Sequence, residues 1–276
     1  MRHEFVEVDG VRLHVAEAGT GPAVVCLHGW PQNWWTYRRL LTELSDTHRV
    51  ICPDLRGYGW SDVPRGGYEK EQFASDLLGL LDALQPERVR LVGHDWGGVA
   101  GFLACLRAPE RFERYLALNT SHPFPSPSVR GALSLWRFAY QPLMAAPVAG
   151  PRLARNLMPG AVVRLGARGV WSPRDREVYL APFRDPARAR AASLTYRTFL
   201  ARELGPLLRG RYRDERLRVP TLFVHGEEDV AITPHLVSGA EAYADDYELE
   251  LVPGVGHFIT DEAPQLVLDR ARSFFA

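Results

Sequence analysis

Over the first 120 positions, short runs of consecutive apolar residues alternate with stretches whose apolar residues recur at helical spacing. The chain opens differently. Residues 4–18 alternate apolar and polar about Asp9-Gly10, which predicts a hairpin turning at that dipeptide. The runs AVVCLHG (23–29), RVICPDLRG (49–57), RVRLVGHD (88–95) and RYLALN (114–119) are short and nearly continuous in apolar character. Such runs predict strands buried on both faces. Residues 34–45 and 69–84 read as helices, the second carrying Phe73, Leu77, Leu80, Leu81 and Leu84 on one stripe. A third helix starts at Trp96 and stops before Pro109. Strands alternating with helices predict a parallel sheet joined by crossover helices.

The rhythm breaks after Asn119. Residues 121–212 are rich in Pro, Arg and Ala, with helical stretches and no clear β run, and the rhythm resumes at VPTLFVHG (219–226) and YELELVPG (247–254). The expected architecture is therefore an α/β core of residues 1–120 and 213–276, with a mostly parallel central sheet flanked by helices. A helical cap of residues 121–212 interrupts it, entered through the Pro/Ser run HPFPSPS (122–128). An insertion after a strand end can lie over the C-terminal edge of the sheet, where open α/β sheets bind ligands.

Composition narrows the class. Hydrophobic residues make up 46% and charged residues 24%, the balance of an ordinary globular chain. Basic and acidic residues number 33 each, so no net charge draws the protein to nucleic acid or an anionic membrane. Lys70 is the sole lysine; with abundant Ala, Gly and Pro this reads as the bias of a GC-rich bacterial coding sequence rather than an arginine-specific binding role. Cys26, Cys52 and Cys105 are odd in number and fit no zinc spacing, so no metal site is expected and the thiols read as buried in a reducing cytoplasm. The N-terminal segment has no apolar signal core, and no apolar stretch approaches the roughly 18 residues of a membrane span. A cytoplasmic protein is the expectation, and a homodimer is compatible with it.

Chemistry concentrates at Gly93-His94-Asp95-Trp96-Gly97-Gly98, which closes one predicted strand and opens a helix. The turn required is so sharp that a Cβ at Gly93 or Gly97 would clash, and Asp95 itself would be strained. An ordinary turn with Asp95 as helix cap would account for this motif taken alone. The motif resembles the nucleophile elbow of the α/β-hydrolases, with Asp in place of the Ser of esterases. That resemblance implies the chain order nucleophile, acid, histidine. His257, in PGVGHFIT between a strand and a helix, matches the histidine. Asp229, in HGEEDVAI after another strand end, matches the acid position better than its neighbours Glu227 and Glu228. The His28-Gly29-Trp30-Pro31 loop matches the segment that supplies one oxyanion amide, from Trp30, the other coming from Trp96. The Trp30-Pro31 bond is a candidate cis peptide.

Taken together, HGWPQNWWTYR (28–38), DLRGYGWSD (54–62), GHDWGG (93–98) and LNTSHP (118–123) resemble the epoxide hydrolase branch of the α/β-hydrolases. The likeness extends along nearly the whole chain and is weaker in the insertion. One departure is Gln32, where relatives often carry Glu. The resemblance implies two cap tyrosines whose hydroxyls hold the epoxide oxygen, matched by Tyr140 in Phe138-Ala139-Tyr140-Gln141 and by Tyr196 in Thr195-Tyr196-Arg197. Tyr179 reads as packing. The resemblance also implies an Asp95 alkyl ester, hydrolysed by water that His257 activates while Asp229 orients the imidazole. The implied partners are a small apolar epoxide and water, with no cofactor. Trp34, Trp136 and Phe138 are expected to line the pocket.

Haloalkane dehalogenase is the nearest rival, sharing Asp, His and the Trp after the nucleophile. It needs a second halide donor; Trp30 stands where many such enzymes carry Asn, while Trp136 and Trp171 keep a cap-borne donor available. Trp96 argues against a fluoroacetate-type dehalogenase, which usually carries Arg there, and Asp95 argues against a serine esterase. A non-catalytic binding protein of the same fold has no reason to keep Asp95, Asp229 and His257 together.

Overall fold

Arg2–Val8 and Val11–Ala18 form β1 and β2, an antiparallel pair that turns at Asp9-Gly10 with positive φ at both positions, 48° and 74°. This is the two-residue turn whose twist matches that of the strands it joins. The four apolar runs form β3 (Ala23–Leu27), β4 (Arg49–Pro53), β5 (Val89–His94) and β6 (Phe112–Leu118), and the two later runs form β7 (Thr221–Gly226) and β8 (Tyr247–Val252). The computed structural model describes residues 1–124, 139–156, 161–162 and 169–276.

The eight strands lie in the order β1-β2-β4-β3-β5-β6-β7-β8. β2 pairs antiparallel with β4, and every pair from β4 to β8 is parallel. The chain leaves β3 for β4 on one side and then places β5 on the other side of β3. Loops leaving β3 and β5 therefore diverge at the sheet's C-terminal edge, which is where such sheets open a crevice.

The central strands are continuously apolar because both faces are covered. Val24 and Cys26 of β3 face one core with α1 (Arg38–Glu43) and the C-terminal helix Pro264–Phe275. Val25 and Leu27 face the other, with α2 (Lys70–Leu84) and α3 (Asp95–Arg107). The three cysteines are free and buried.

Between β6 and β7 the described residues form helices and no strand: Tyr140–Ala145, Ala149–Asn156, Pro173–Leu180, Pro186–Thr198 and Leu204–Leu208, with a π-helical turn at Phe199–Glu203. Ser172 and Asp185 cap two of these helices, each followed by a proline in the first turn, where its missing N–H costs nothing.

Contacts on more than one side fix the inserted helices to the sheet domain. Arg188 donates to the carbonyls of Tyr58 and Ser61. On the other side, Asp261 gathers Arg38, Trp171, Tyr179 and Gln32. The Gln32 amide lies 2.9 Å from Asp261 Oδ2 and 2.9 Å from Thr36 Oγ1. A glutamate at position 32 would set two carboxylates against each other, so the amide suits the buried aspartate beside it. No described helix is long and apolar enough to cross a membrane.

Candidate active site

Asp95 is the first residue of α3 and has φ +50°, the strained left-handed conformation predicted for an elbow. A Cβ on Gly97 would lie 2.4 Å from the His28 carbonyl oxygen, and one on Gly93 would lie 2.8 Å from Gly98 Cα. The β3 loop presses on the same spot from the neighbouring strand. Its Trp30 N–H donates to Asp95 Oδ2 at 2.8 Å, and the Trp96 N–H also favours the ionised carboxylate. Both predicted amides thus converge on one side chain, and Trp30-Pro31 is cis. The Thr120 hydroxyl donates to the Asp95 carbonyl at 2.7 Å.

Asp229 and His257 stand on loops after β7 and β8, 2.9 Å apart between Oδ2 and Nδ1. Asp229 Oδ2 also accepts from Asn119 Nδ2 at 2.8 Å, while Oδ1 accepts from the amides of Ala231 and Ile232. Burial raises the pKa of this carboxylate, but the charge and hydrogen bond of His257 outweigh it and bring Asp229 down to about 2. Burial likewise works to lower His257. The charge and hydrogen bond of Asp229, with the charge of Asp95, overcome this and raise it to about 9. For Asp95 burial wins over the attraction of His257 and the two amides, and its pKa rises to about 6. The resting site is therefore an ionised Asp95 beside an imidazolium at neutral pH.

Tyr196 projects from the helix Pro186–Thr198. Its ring meets Trp30, Trp96 and Tyr140 edge to face, with centroids 5.9, 5.6 and 5.7 Å away. The two phenols influence each other's titration across this ring contact, and the Gln141 side chain influences that of Tyr140. Burial, with the nearby Asp95 charge adding to it, pushes both phenols up, so both are protonated donors. Asp95, Trp96 and Tyr140 open on a cavity of about 400 Å³ whose other walls, including Val99, Phe199 and Ile232, are mostly apolar.

Trp34 is a correction. It is buried, but its ring packs against His3, Trp35 and Trp60, away from the cavity. The 3₁₀ turn at Trp34–Tyr37 and the bond from Trp34 N–H to Asp54 direct it under the β1–β2 hairpin. Trp136 and Phe138, also expected in the pocket, lie outside the described residues. Asn119 is a gain. Beyond Asp229 it bonds the Gly256 carbonyl and accepts from Gly226 N–H, so it locks the acid and histidine loops together. Its only sequence signal is a polar residue ending a buried strand. His94, buried beside Asp95, uses Nε2 on the His257 carbonyl at 2.8 Å. Burial lowers its pKa to about 3, so it is neutral and donates that bond. Among the described residues no cluster of ligating side chains could hold a metal ion.

Residues 22–264 match the family described as alpha/beta hydrolase fold. The soluble epoxide hydrolase of Corynebacterium sp. (strain C12) is 28% identical over 285 residues, covering 99% of this chain and 97% of its own. Among solved structures, epoxide hydrolase CorEH without ligand superposes with a TM-score of 0.85 at 28% identity, covering 99% of this chain and 98% of that one. Epoxide hydrolase VrEH1 from Vigna radiata gives 0.84 at 28% identity, covering 99% and 97%.

Proposed function

The chain belongs to the α/β-hydrolase fold family, in its epoxide hydrolase branch, and on that premise we propose that it converts an apolar epoxide to a vicinal diol through an ester on Asp95. The observation that carries this reading is the placing of two phenols beside the nucleophile: Tyr140 lines the apolar cavity on which Asp95 opens, and its ring meets that of Tyr196, which also packs on Trp96. A strained ring needs a nucleophile on carbon and a proton donor on oxygen at once. The helices between β6 and β7 act as the cap that supplies the donors.

The ionised Asp95 attacks an epoxide carbon, forming a C–O ester bond as the ring C–O bond breaks. A tyrosine hydroxyl gives its proton to the alkoxide and regains one from solvent. Alkylation removes the Asp95 charge, one of the anions that hold His257 protonated. The imidazolium then releases its proton and becomes a base. Water, deprotonated by His257, attacks the ester carbonyl, and the developing oxyanion takes the amides of Trp30 and Trp96. Collapse frees the diol and returns the Asp95 carboxylate and the imidazolium.

Oxygen labelling tests this directly. In a single turnover with excess enzyme in ¹⁸O-water, the oxygen added to the substrate comes from Asp95, so the first diol is expected to be unlabelled and the Asp95 peptide labelled. Labelled diol from the first turnover, over an unlabelled peptide, would overturn the covalent route and make Asp95 a general base.

The pH dependence follows from the same carboxylate. Attack requires ionised Asp95, whose pKa is raised to about 6. The rate constant for ester formation is expected to fall about tenfold per pH unit below that value and to level off above it. A plateau persisting down to pH 4 would mean that the ionised nucleophile does not limit the step.

One observation favours a second reading. The indole N–H groups of Trp30 and Trp96 are both buried without a hydrogen-bond partner among the described residues, and their rings flank Tyr196. Two such donors suit a departing halide, as in haloalkane dehalogenation by the same Asp, His and Asp. Measuring diol and free halide over a panel of epoxides and haloalkanes separates the two.

A further inference from the structure

Codon bias accounts for the scarcity of lysine but not for where the single one sits. Lys70 is fully buried at the start of α2. Its ammonium lies 2.8 Å from Glu203 Oε2 and donates to the carbonyls of Thr195 (2.9 Å) and Tyr68 (3.3 Å). It also lies 4.6 Å from the centre of the Trp96 ring and 5.4 Å from that of Phe199. The other oxygen of Glu203 accepts the Lys70 backbone N–H at 2.7 Å. A buried ion pair of this kind is seldom worth more to stability than two apolar residues of the same size. Its use must be sought in what it holds.

What it holds is the junction just before and after Tyr196. There the helix Pro186–Thr198 passes into the π turn Phe199–Glu203. A π turn carries one extra residue and disturbs the regular carbonyl pairing, and such turns are frequent at functional sites. The Thr195 carbonyl accepts from Phe199 N–H and takes the ammonium as a further donor. The Thr195 hydroxyl meets the Tyr58 hydroxyl at 3.0 Å, and the Thr198 hydroxyl donates to the same Tyr68 carbonyl that Lys70 uses. The turn puts Phe199 and Leu200 into the cavity wall and brings Glu203 back onto Lys70.

We propose that Lys70, paired with Glu203, is a positioning residue for ring opening: it ties the helix end that bears Tyr196 to the core beside Trp96, and so fixes where the Tyr196 hydroxyl meets the epoxide oxygen. The inference rests on the epoxide-opening reading above. Lys70 touches no reacting atom and acts through Tyr196, so its effect belongs to ester formation. Ester hydrolysis depends on His257 and Asp229, which sit on other loops.

The test is single-turnover kinetics on the double variant Lys70→Met/Glu203→Gln, which removes both charges together and leaves none stranded. Its melting temperature is expected to stay within a few degrees of wild type. Ester formation on Asp95, followed by quench and intact mass, is expected to slow about 30- to 100-fold, the cost of misplacing a catalytic group by about 1 Å. Decay of the ester should keep its wild-type rate. Adding Tyr196→Phe to the double variant should slow ester formation little further, because the two changes act on one hydroxyl. The proposal is overturned by wild-type ester formation in the double variant, by an equal loss in both half-reactions, or by effects of the pair and Tyr196→Phe that multiply. A double variant that does not fold overturns it too, since the pair would then serve the fold. If the wild type itself forms no ester, the covalent opening of an epoxide by Asp95 fails and the role of Lys70 falls with it. A wild-type ester with an unimpaired double variant sinks Lys70 alone.

Discussion

His257→Gln protein is expected to consume one equivalent of epoxide and then stall, with the substrate's mass added to Asp95. Glutamine can still donate a hydrogen bond towards Asp229, but it cannot take a proton from water. Ring opening needs only the ionised Asp95 and the tyrosine donors, so the first half-reaction survives. Ester hydrolysis loses its base, and steady-state turnover should fall by about 10²–10⁴. The charges in the site give the reason for this order of events. The imidazole is held protonated by Asp229 and by Asp95. On the proposed route it becomes a base only after alkylation has cancelled the second of these, so base and nucleophile would not compete for one proton. Intact-mass and peptide measurements during turnover check the result. Sustained turnover with no adduct on Asp95 would move the base elsewhere.

How much of this was legible in the sequence depends on how local each feature is. The parallel strands were readable because a strand covered on both faces has to be apolar at every position, as β3 is. The elbow was readable because its steric demands fall within six consecutive residues. Asp229 and His257 came only with the chain order that the family resemblance supplies, since 28 positions separate them. The role of Asn119 is invisible in its own motif, because its partner Asp229 is 110 residues away. Trp34 was misplaced because three adjacent positions of one turn point in different directions, and aromatic character does not say which faces a cavity. A single lysine reads as composition, because the burial of Lys70 against Glu203 depends on a contact 133 residues distant. Strand order was equally out of reach. The alternation predicts a parallel sheet, but not that β4 lies outside β3 and that the site opens where the chain reverses.

The largest loss in the ring-opening half-reaction is expected from removing both phenol hydroxyls. Tyr140→Phe and Tyr196→Phe each delete one donor at developing charge, an interaction worth roughly 3–4 kcal/mol at best, or about 10²–10³ in rate. The rings stay, so the edge-to-face contacts of Tyr196 with Trp30, Trp96 and Tyr140 should persist in outline and the fold with them. Because the two rings are in contact, the surviving hydroxyl in either single variant can still turn to the alkoxide. The singles should therefore fall short of the full loss, and the double Phe variant should come close to abolishing ester formation. Ester hydrolysis requires neither hydroxyl, so adduct made slowly by a single variant should decay at the wild-type rate. The same double variant separates the two candidate reactions. A halide leaves without a proton, so carbon–halogen cleavage at Asp95 would survive the loss of both phenols, whereas an epoxide oxygen left without a donor would not open. A double Phe variant that turns over every epoxide tested at the wild-type rate would sink the epoxide reading. If it formed no diol but still released halide, the dehalogenase reading would take its place.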